Sequence, residues 1–293
     1  MPLIVRAPAK LNLDLRILGH RSDGFHDLQT LLQSISLRDT LTFTHCRGRI
    51  TVGSRSARVP TDKKNIVWQA AEVLWRDMGC QGDPKGVAIS IIKRIPMAAG
   101  LGGGSSNAAA ALRGLSSVWG VSPSGKRLRE LAASVGSDVP YFLTGGLSDG
   151  FDRGVRLRRL SDLNHCWVLL ASPTFGVPTV LAYKWFDQLP AKLPTKRSRH
   201  WRQRLRLLRN DLQEPVVRRH PEIGAMIDRL QATNASLAAM TGSGSTVFAL
   251  YRRKADAILA RRQVRSRGWQ TILTRTIGSR EFASLTEPES RGR

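Results

Sequence analysis

Three features of the sequence predict an α+β fold in two domains. The chain has 293 residues, 41% of them apolar, more than one ordinary core organises and enough for two. Segments of period-two alternation and segments of helical spacing are mixed along its whole length. Each half also carries a glycine-rich loop beside a strand, "GLGGGSSN" at 100–107 and "TGSGS" at 241–245.

Near the start, Leu11, Leu13, Leu15 and Ile17 alternate with Lys10, Asn12, Asp14 and Arg16. That is the pattern of a strand with one buried face, and it puts Lys10 and Asn12 together on the polar one. Asp23-Gly24 supplies a turn, and "LQTLLQSISLRDTLTF" continues as strands. Asn65 is placed as the N-cap of a helix whose apolar positions Val67, Ala71, Leu74 and Met78 recur up to Gly79. A short polar side chain satisfies the first free N–H groups, and glycine accepts the terminating conformation. Val87, Ile89 and Ile91 alternate again and lead as a strand into the first glycine loop. A helix beginning near Ser105 shows Leu112, Leu115 and Trp119 on one face and stops at Gly120. "SPSGKRLRELAASVG" is the next, with Leu128, Leu131, Ala132 and Val135 inward. Pro140 then opposes a return to helix, so Asp138 falls on a loop just past a helix end.

"HCWVLLASP" (His165 to Pro173) reads as a buried strand opening the second half. Helical patterns at 203–217 and 221–232 follow, then the second glycine loop running into a strand, a basic helix at 253–267 and the strand "WQTILT". The boundary is set near residue 163, giving domains 1–163 and 164–281. Residues 282–293, ending in "TEPESRGR", are expected to form a disordered tail.

The 46 Lys and Arg against 22 Asp and Glu leave a formal charge of +24, which fits either an anionic partner or a solvated basic face. Much of the excess lies away from the first glycine loop, notably in "KLPTKRSRHWRQRLRLLR" at 192–209. Cys46, Cys80 and Cys166 are odd in number and lack Cys-x-x-Cys spacing. Neither a disulfide framework nor a zinc site is indicated, and a reducing cytoplasm fits. The start "MPLIVRAPAK" lacks a long apolar signal region, and no apolar run reaches the roughly 18 residues that span a bilayer, so no membrane insertion is expected.

A strand, then glycines, then a helix suits an anion. The first N–H groups of a helix have no partner within it, its dipole is positive there, and glycine lets the main chain approach a phosphate. Ser105, Ser106 and Asn107 add hydroxyl and amide groups at the helix mouth. The loop departs from a Walker A, which needs a Lys after its last Gly, and from the dinucleotide fingerprint, whose third Gly is Ser105 here. In isolation, a tight turn before a closely packed Ala-rich helix would look the same.

The segment "PMAAGLGGGSSNAA" resembles the phosphate loop of the GHMP kinase superfamily. Five further blocks, "APAKLNLDLRILGHRSDGFHDLQTL", "KKNIVWQAAEVL", "GSDVPYF", "RNDLQEPV" and "MTGSGSTVFAL", stand in the order of the branch that acts on a cytidine diphosphate-linked methylerythritol. "GGGSSN" and "DGFH" look unlike the mevalonate, galactose and homoserine branches. The resemblance implies a two-domain GHMP kinase fold, with an N-terminal half like ribosomal protein S5 domain 2 and a ferredoxin-like C-terminal half. It also implies transfer of the ATP γ-phosphate to the 2-hydroxyl of the methylerythritol end, a step of the non-mevalonate route to isoprenoid precursors.

On that resemblance Asp138 is the base that takes the hydroxyl proton, and Lys10 the cation that steadies the carboxylate and the developing charge. ATP falls to Asn65 near the adenine and to Pro96, Gly100, Leu101, Gly102, Gly103, Gly104, Ser105, Ser106 and Asn107 around the phosphates. Mg²⁺ is implied with ATP, because phosphoryl transfer needs charge neutralised. No carboxylate cluster announces a metal cage, so its expected ligands are phosphates and hydroxyls. The substrate falls to Asn12, Phe25, His26, Tyr183 and the second loop, Gly242, Ser243, Gly244 and Ser245. Phe25 and Tyr183 match positions that stack on the pyrimidine, Phe25 being commonly Tyr in the family, and His26 matches the reader of its polar edge. Asn65 also reads as a plain N-cap, and the two aromatics as core.

The sequence departs from the family around "GGLSDGFDRGVRLRRL", where Val155 and Arg156 replace a Gly-Glu pair. The charge suggests a rival, a basic nucleic-acid-binding protein on the same scaffold. The sequence holds no RNA-binding or helix-turn-helix motif for it, and a pure binder has no use for Lys10 with Asp138. Within enzymes, the alternative is another GHMP small-molecule kinase acting on a different alcohol.

Overall fold

The computed structural model describes residues 1–190, 200–205 and 207–290. Two long antiparallel strands, β1 (Leu3–His20) and β2 (His26–Arg49), are joined across the Asp23-Gly24 turn. β3 (Thr51–Ser54), α1 (Ile66–Asp77), β4 (Lys85–Ile92), α2 (Gly103–Val118) and α3 (Gly125–Val135) follow. A 3-10 turn at Val139–Leu143 leads to β5 (Leu147–Asp152) and β6 (Arg156–Arg159). β2 is long enough to serve two neighbours along its edge, β5 at residues 28–33 and β4 at residues 40–49.

Helices α1, α2 and α3 cover this sheet, packing Val67, Leu74, Leu112, Leu115 and Leu131 against Val5, Phe43, Val87 and Ile89. Burial of each such side chain contributes roughly 1.5–3 kcal/mol. The alanine run of α2 has a packing reason: a Cβ on Gly114 would overlap the Phe43 ring, so only small residues let this helix lie so close to the sheet. Asn65 caps α1 as expected, its Oδ1 accepting from the Val67 N–H at 2.9 Å.

The second half comprises β7 (Trp167–Pro173), α4 (Thr179–Asp187), α5 (Trp201–Arg204), α6 (Gln213–Arg219) and α7 (Pro221–Gln231). Then come β8 (Leu237–Met240), β9 (Val247–Tyr251), α8 (Lys254–Gln263) and β10 (Trp269–Arg275). Its antiparallel sheet runs β10-β7-β9-β8, the ferredoxin-like order that places the first and third strands in the middle. A third apolar cluster joins the halves: Leu11 and Leu13 of β1 meet Val168 and Leu170 of β7 and Phe248 of β9.

Three expectations are corrected, and a fourth reading falls partly outside the described residues. Lys10, Asn12 and Asp14 are buried together with the apolar face of β1, because the second half and the loops cover the polar side too. The expected helix at 203–217 is two pieces, since Asn210 turns the chain by accepting the Leu212 N–H at 3.0 Å and Leu15 of β1 claims the Arg209 carbonyl at 2.8 Å. The basic segment 192–209 lies outside the described residues at 192–199 and 206. Finally, the expected disordered tail is structured up to residue 290. α9 (Ser279–Thr286) buries Phe282 in the first core, and β11 (Glu289–Ser290) pairs with Leu3 and Ile4. Phe282 fits because Gly145 leaves room for its ring; the polar composition of the segment hides that single anchor. Glu289 and Ser290 therefore lie on the first sheet rather than on the second domain, and residues 291–293 lie outside the described ones. Among the described residues, no helix is long and apolar enough to cross a membrane.

Candidate active site

The first glycine loop leaves β4 at Ile92 and enters α2 at Gly103, two residues earlier than sequence spacing predicts. Gly102 makes the early start possible, since it serves as N-cap with φ +68° and a Cβ there would sit 2.7 Å from the Phe142 ring. The base of the loop is pinned by Asp39, a fully buried carboxylate. It accepts from the Arg94 N–H at 2.7 Å and the Ile95 N–H at 2.9 Å, and from Lys93 Nζ at 2.6 Å. Lys93 is thereby held against Gly103, where a Cβ would lie 2.9 Å from its ammonium.

The second glycine loop touches the first. Thr241 Oγ1 accepts from the Asn12 N–H at 2.9 Å and donates to the Gly100 carbonyl at 3.3 Å. Asn210 Nδ2 donates to the carbonyls of Met240 and Gly242 at 2.9 and 2.8 Å, so the "RNDLQEPV" segment fixes that loop from behind.

Lys10 sits where these parts meet. Its N–H donates to the Leu101 carbonyl at 3.0 Å, and its ammonium donates to Asn12 Oδ1 and lies 3.7 Å from Asp138 Oδ2. Asn12 is oriented in turn by donating to Thr30 Oγ1 at 2.8 Å, and Thr30 donates to the Asp14 carbonyl at 2.7 Å. Burial pushes the Lys10 pKa below its ordinary value, opposed by the charge of Asp138 and its bond to that carboxylate. Asp138 precedes the 3-10 turn, with its side chain 40% exposed to the cleft.

At the other end, His26 Nε2 lies 2.8 Å from Asp187 Oδ1 and its ring stacks on Tyr183 at 4.8 Å between centroids. Burial, with the Asp138 charge second, pushes the Tyr183 hydroxyl pKa well up. Phe25 is half exposed beneath the guanidinium of Arg153, which lies 4.7 Å from its ring centroid.

One cleft of about 920 Å³ connects these parts. It brings together Lys10, Asn12, Phe25, His26, Asn65, Pro96, Asp138 and Tyr183 with Gly100 to Ser105, Asn107, Gly242 and Ser243. Ser106, Gly244 and Ser245 do not line it. The Ser106 hydroxyl turns inward to donate to the Pro8 carbonyl at 2.7 Å, and that of Ser245 donates to Phe175 at 2.7 Å. Both hydroxyls are occupied in holding the loops. Sequence reasoning missed Lys64, Lys93, Arg153 and Asp187, which also line the cleft; charged residues this common carry no local mark that separates a cleft position from a solvated one.

With this geometry in hand, the likeness to known proteins is specific. Residues 65–146 match the GHMP kinases N terminal domain and residues 195–269 the GHMP kinases C terminal domain. The chain belongs to the GHMP kinase family. A solved 4-(cytidine 5'-diphospho)-2C-methyl-D-erythritol kinase superposes with a TM-score of 0.77 at 30% identity, over 94% of this chain and 99% of that one. The 4-diphosphocytidyl-2-C-methyl-D-erythritol kinase of Moorella thermoacetica is 37% identical over 94% of this chain and 99% of its own length. That of Bacillus pumilus is 37% identical over 85% and 88%. Within the GHMP kinases the chain therefore belongs to the 4-diphosphocytidyl-2-C-methyl-D-erythritol kinase family. A mevalonate kinase structure, at 13% identity and a TM-score of 0.67, shares the fold.

Proposed function

We propose that the chain transfers the γ-phosphate of ATP to the 2-hydroxyl of 4-diphosphocytidyl-2-C-methyl-D-erythritol, a step of non-mevalonate isoprenoid precursor synthesis. The observation that carries this reading is the Lys10–Asp138 pair, standing in one cleft between a glycine loop at a helix N-terminus and the His26–Tyr183 cluster. ATP lies with its phosphates on the loop from Gly100 to Ser105, whose backbone N–H groups and helix dipole favour anions. The cytidine lies toward Phe25, His26 and Tyr183. The reacting hydroxyl then falls beside Asp138.

Asp138 accepts the hydroxyl proton as the substrate oxygen bonds to the γ-phosphorus and the bond from that phosphorus to the β-bridging oxygen breaks, releasing ADP. Lys10 steadies the carboxylate and meets the charge on the transferring group, in a buried position where that attraction is strong. Lys93, fixed by Asp39, holds its ammonium against Gly103 of the loop. Mg²⁺ fits beside the phosphates: Asn107 Oδ1 is buried next to the cleft without a hydrogen-bond partner, and with the Ser105 hydroxyl it offers the oxygen donors this ion takes. When bound, the ion neutralises phosphate charge. The free cysteines Cys46, Cys80 and Cys166 favour a reducing, cytoplasmic setting.

The test is a phosphotransfer assay on the purified chain with ATP and Mg²⁺, comparing the cytidine diphosphate substrate with mevalonate and homoserine. Turnover of the first alone is expected, and preferential turnover of either other alcohol overturns the reading.

A further inference from the structure

At the mouth of the cleft the end of β1, the start of β2 and the end of α4 converge on two imidazoles and a carboxylate. His20 Nε2 lies 3.3 Å, and His26 Nε2 2.8 Å, from the same oxygen, Asp187 Oδ1. The two rings stand 4.4 Å apart between centroids, and one donor atom from each of the three residues lies within 4.8 Å of the others. An ordinary surface pairing gives His20 little reason to be there, since its side chain is 66% exposed and such contacts are worth little.

Two imidazole nitrogens and one carboxylate oxygen are the donor set of three-ligand zinc sites that keep a fourth position open. With bonds near 2.0–2.1 Å, donors around a tetrahedral ion stand about 3.3 Å apart. The His20–Asp187 spacing already matches, the His26–Asp187 spacing is about half an ångström shorter, and the three donors together lie within 4.8 Å, so side-chain shifts close the site without moving the backbone. Imidazole donors favour Zn²⁺ and its neighbours in the transition series over Mg²⁺ or Ca²⁺. The His26 ring is held in place by stacking on Tyr183 and by the edge of Phe186 at 6.3 Å, so one ligand is already oriented.

We propose that His20, His26 and Asp187 form a binding site for a zinc-class divalent metal ion at the cytidine end of the cleft. The ion occupies His26 Nε2 and leaves its fourth position to water or to an incoming ligand. Where His26 reads the cytosine edge, which rests on the function proposed above, the ion competes with the cytidine substrate and leaves ATP binding alone.

The test titrates ZnCl₂ calorimetrically into the untagged full chain and follows Co²⁺ by its visible absorption, for the wild type and for His20→Ala. His20 is exposed, so the variant keeps its fold. One equivalent of Zn²⁺ is expected on the wild type, with affinity at least about tenfold lower in the variant, the scale lost when even a supporting partner of a ligand is removed. No uptake by the wild type, or equal uptake by both proteins, overturns the site. Steady-state assays at buffered free Zn²⁺ then separate the two ideas. A rise in KM for the cytidine substrate in the wild type but not in His20→Ala supports both, whereas His20-dependent Zn²⁺ binding without that rise upholds the site and removes His26 from the cytidine pocket.

Discussion

Lys10 Nζ stands 3.7 Å from Asp138 Oδ2, with the lysine buried and the carboxylate 40% exposed to the cleft. The asymmetry is chemically useful. The buried partner is held by Asn12 and by its own backbone bond to Leu101, whereas the exposed partner can meet an incoming hydroxyl. A rigid cation beside an accessible base is an arrangement in which charge develops against a preorganised field.

Asp138→Asn keeps the shape of the side chain and removes its basicity. Turnover is expected to fall by about 10²–10⁴-fold, the range of a lost general base, with ATP affinity nearly unchanged. Steady-state kinetics and a nucleotide-binding titration check this together. Near-normal turnover would remove Asp138 from the base role.

Lys10→Met separates stability from activity. Burial lowers the Lys10 pKa below 10.5. Between that lowered value and 10.5, the unfolded chain binds more protons than the folded one, so this residue's contribution to stability rises with pH. At neutral pH the buried charge is at its full cost. The variant should then be at least as stable as the wild type at neutral pH, with the advantage narrowing toward alkaline pH. Its turnover should fall by about 10²–10³-fold. Thermal midpoints across the pH range decide the sign, and an advantage that widens with pH contradicts it.

Gly100→Ala tests the contact between the two glycine loops. Gly100 has φ +73°, and a Cβ there would overlap the Thr241 carbonyl oxygen and approach that of Gly244 at 3.1 Å. The backbone strain alone costs of order 1–3 kcal/mol. A lower thermal midpoint and a raised KM for ATP are expected; an unchanged value of both would mean that the loops are not coupled through this residue.

The parts legible in the sequence are those set by local spacing. Alternation placed Lys10 and Asn12 on one face, and composition placed Asn65 at a helix start and Gly120 at a helix end. Contacts between distant segments were not legible. Asp39 looks like an ordinary polar residue of β2, yet it holds Lys93 and the base of the loop from 54 residues away. Asp187 meets His26 across 161 residues. The serines of both glycine loops carry no local mark to show which hydroxyls face the cleft, so Ser105 and Ser243 could not be told from the inward-turned Ser106 and Ser245.

Phe25→Ala addresses the substrate end. Phe25 is 50% exposed, so its removal should barely alter stability. Base stacking is worth about 1–3 kcal/mol, or roughly five- to 150-fold in affinity. A rise of that size in KM for the cytidine substrate, with KM for ATP unchanged, is the expected kinetic pattern. A rise confined to ATP would reverse the assignment of the two ends.

Arg204→Met tests the clasp between the halves. Arg204 Nε donates to Asp14 Oδ2 at 2.8 Å and its Nη1 to Asp149 Oδ1 at 2.6 Å, tying α5 to β1 and β5. All three side chains are essentially without solvent contact. Methionine fills similar space but strands two buried carboxylates, and breaking such a pair costs about 3–5 kcal/mol. Arg16 at 3.0 Å from Asp14 and Arg158 at 3.0 Å from Asp149 offset part of the loss, so the lower end of that range is expected in a denaturant titration. Adding Asp14→Asn and Asp149→Asn should recover much of the stability, because the cost lies in the unpaired charges rather than in the missing guanidinium. If Arg204→Met alone is neutral, the neighbouring arginines suffice and the clasp contributes nothing.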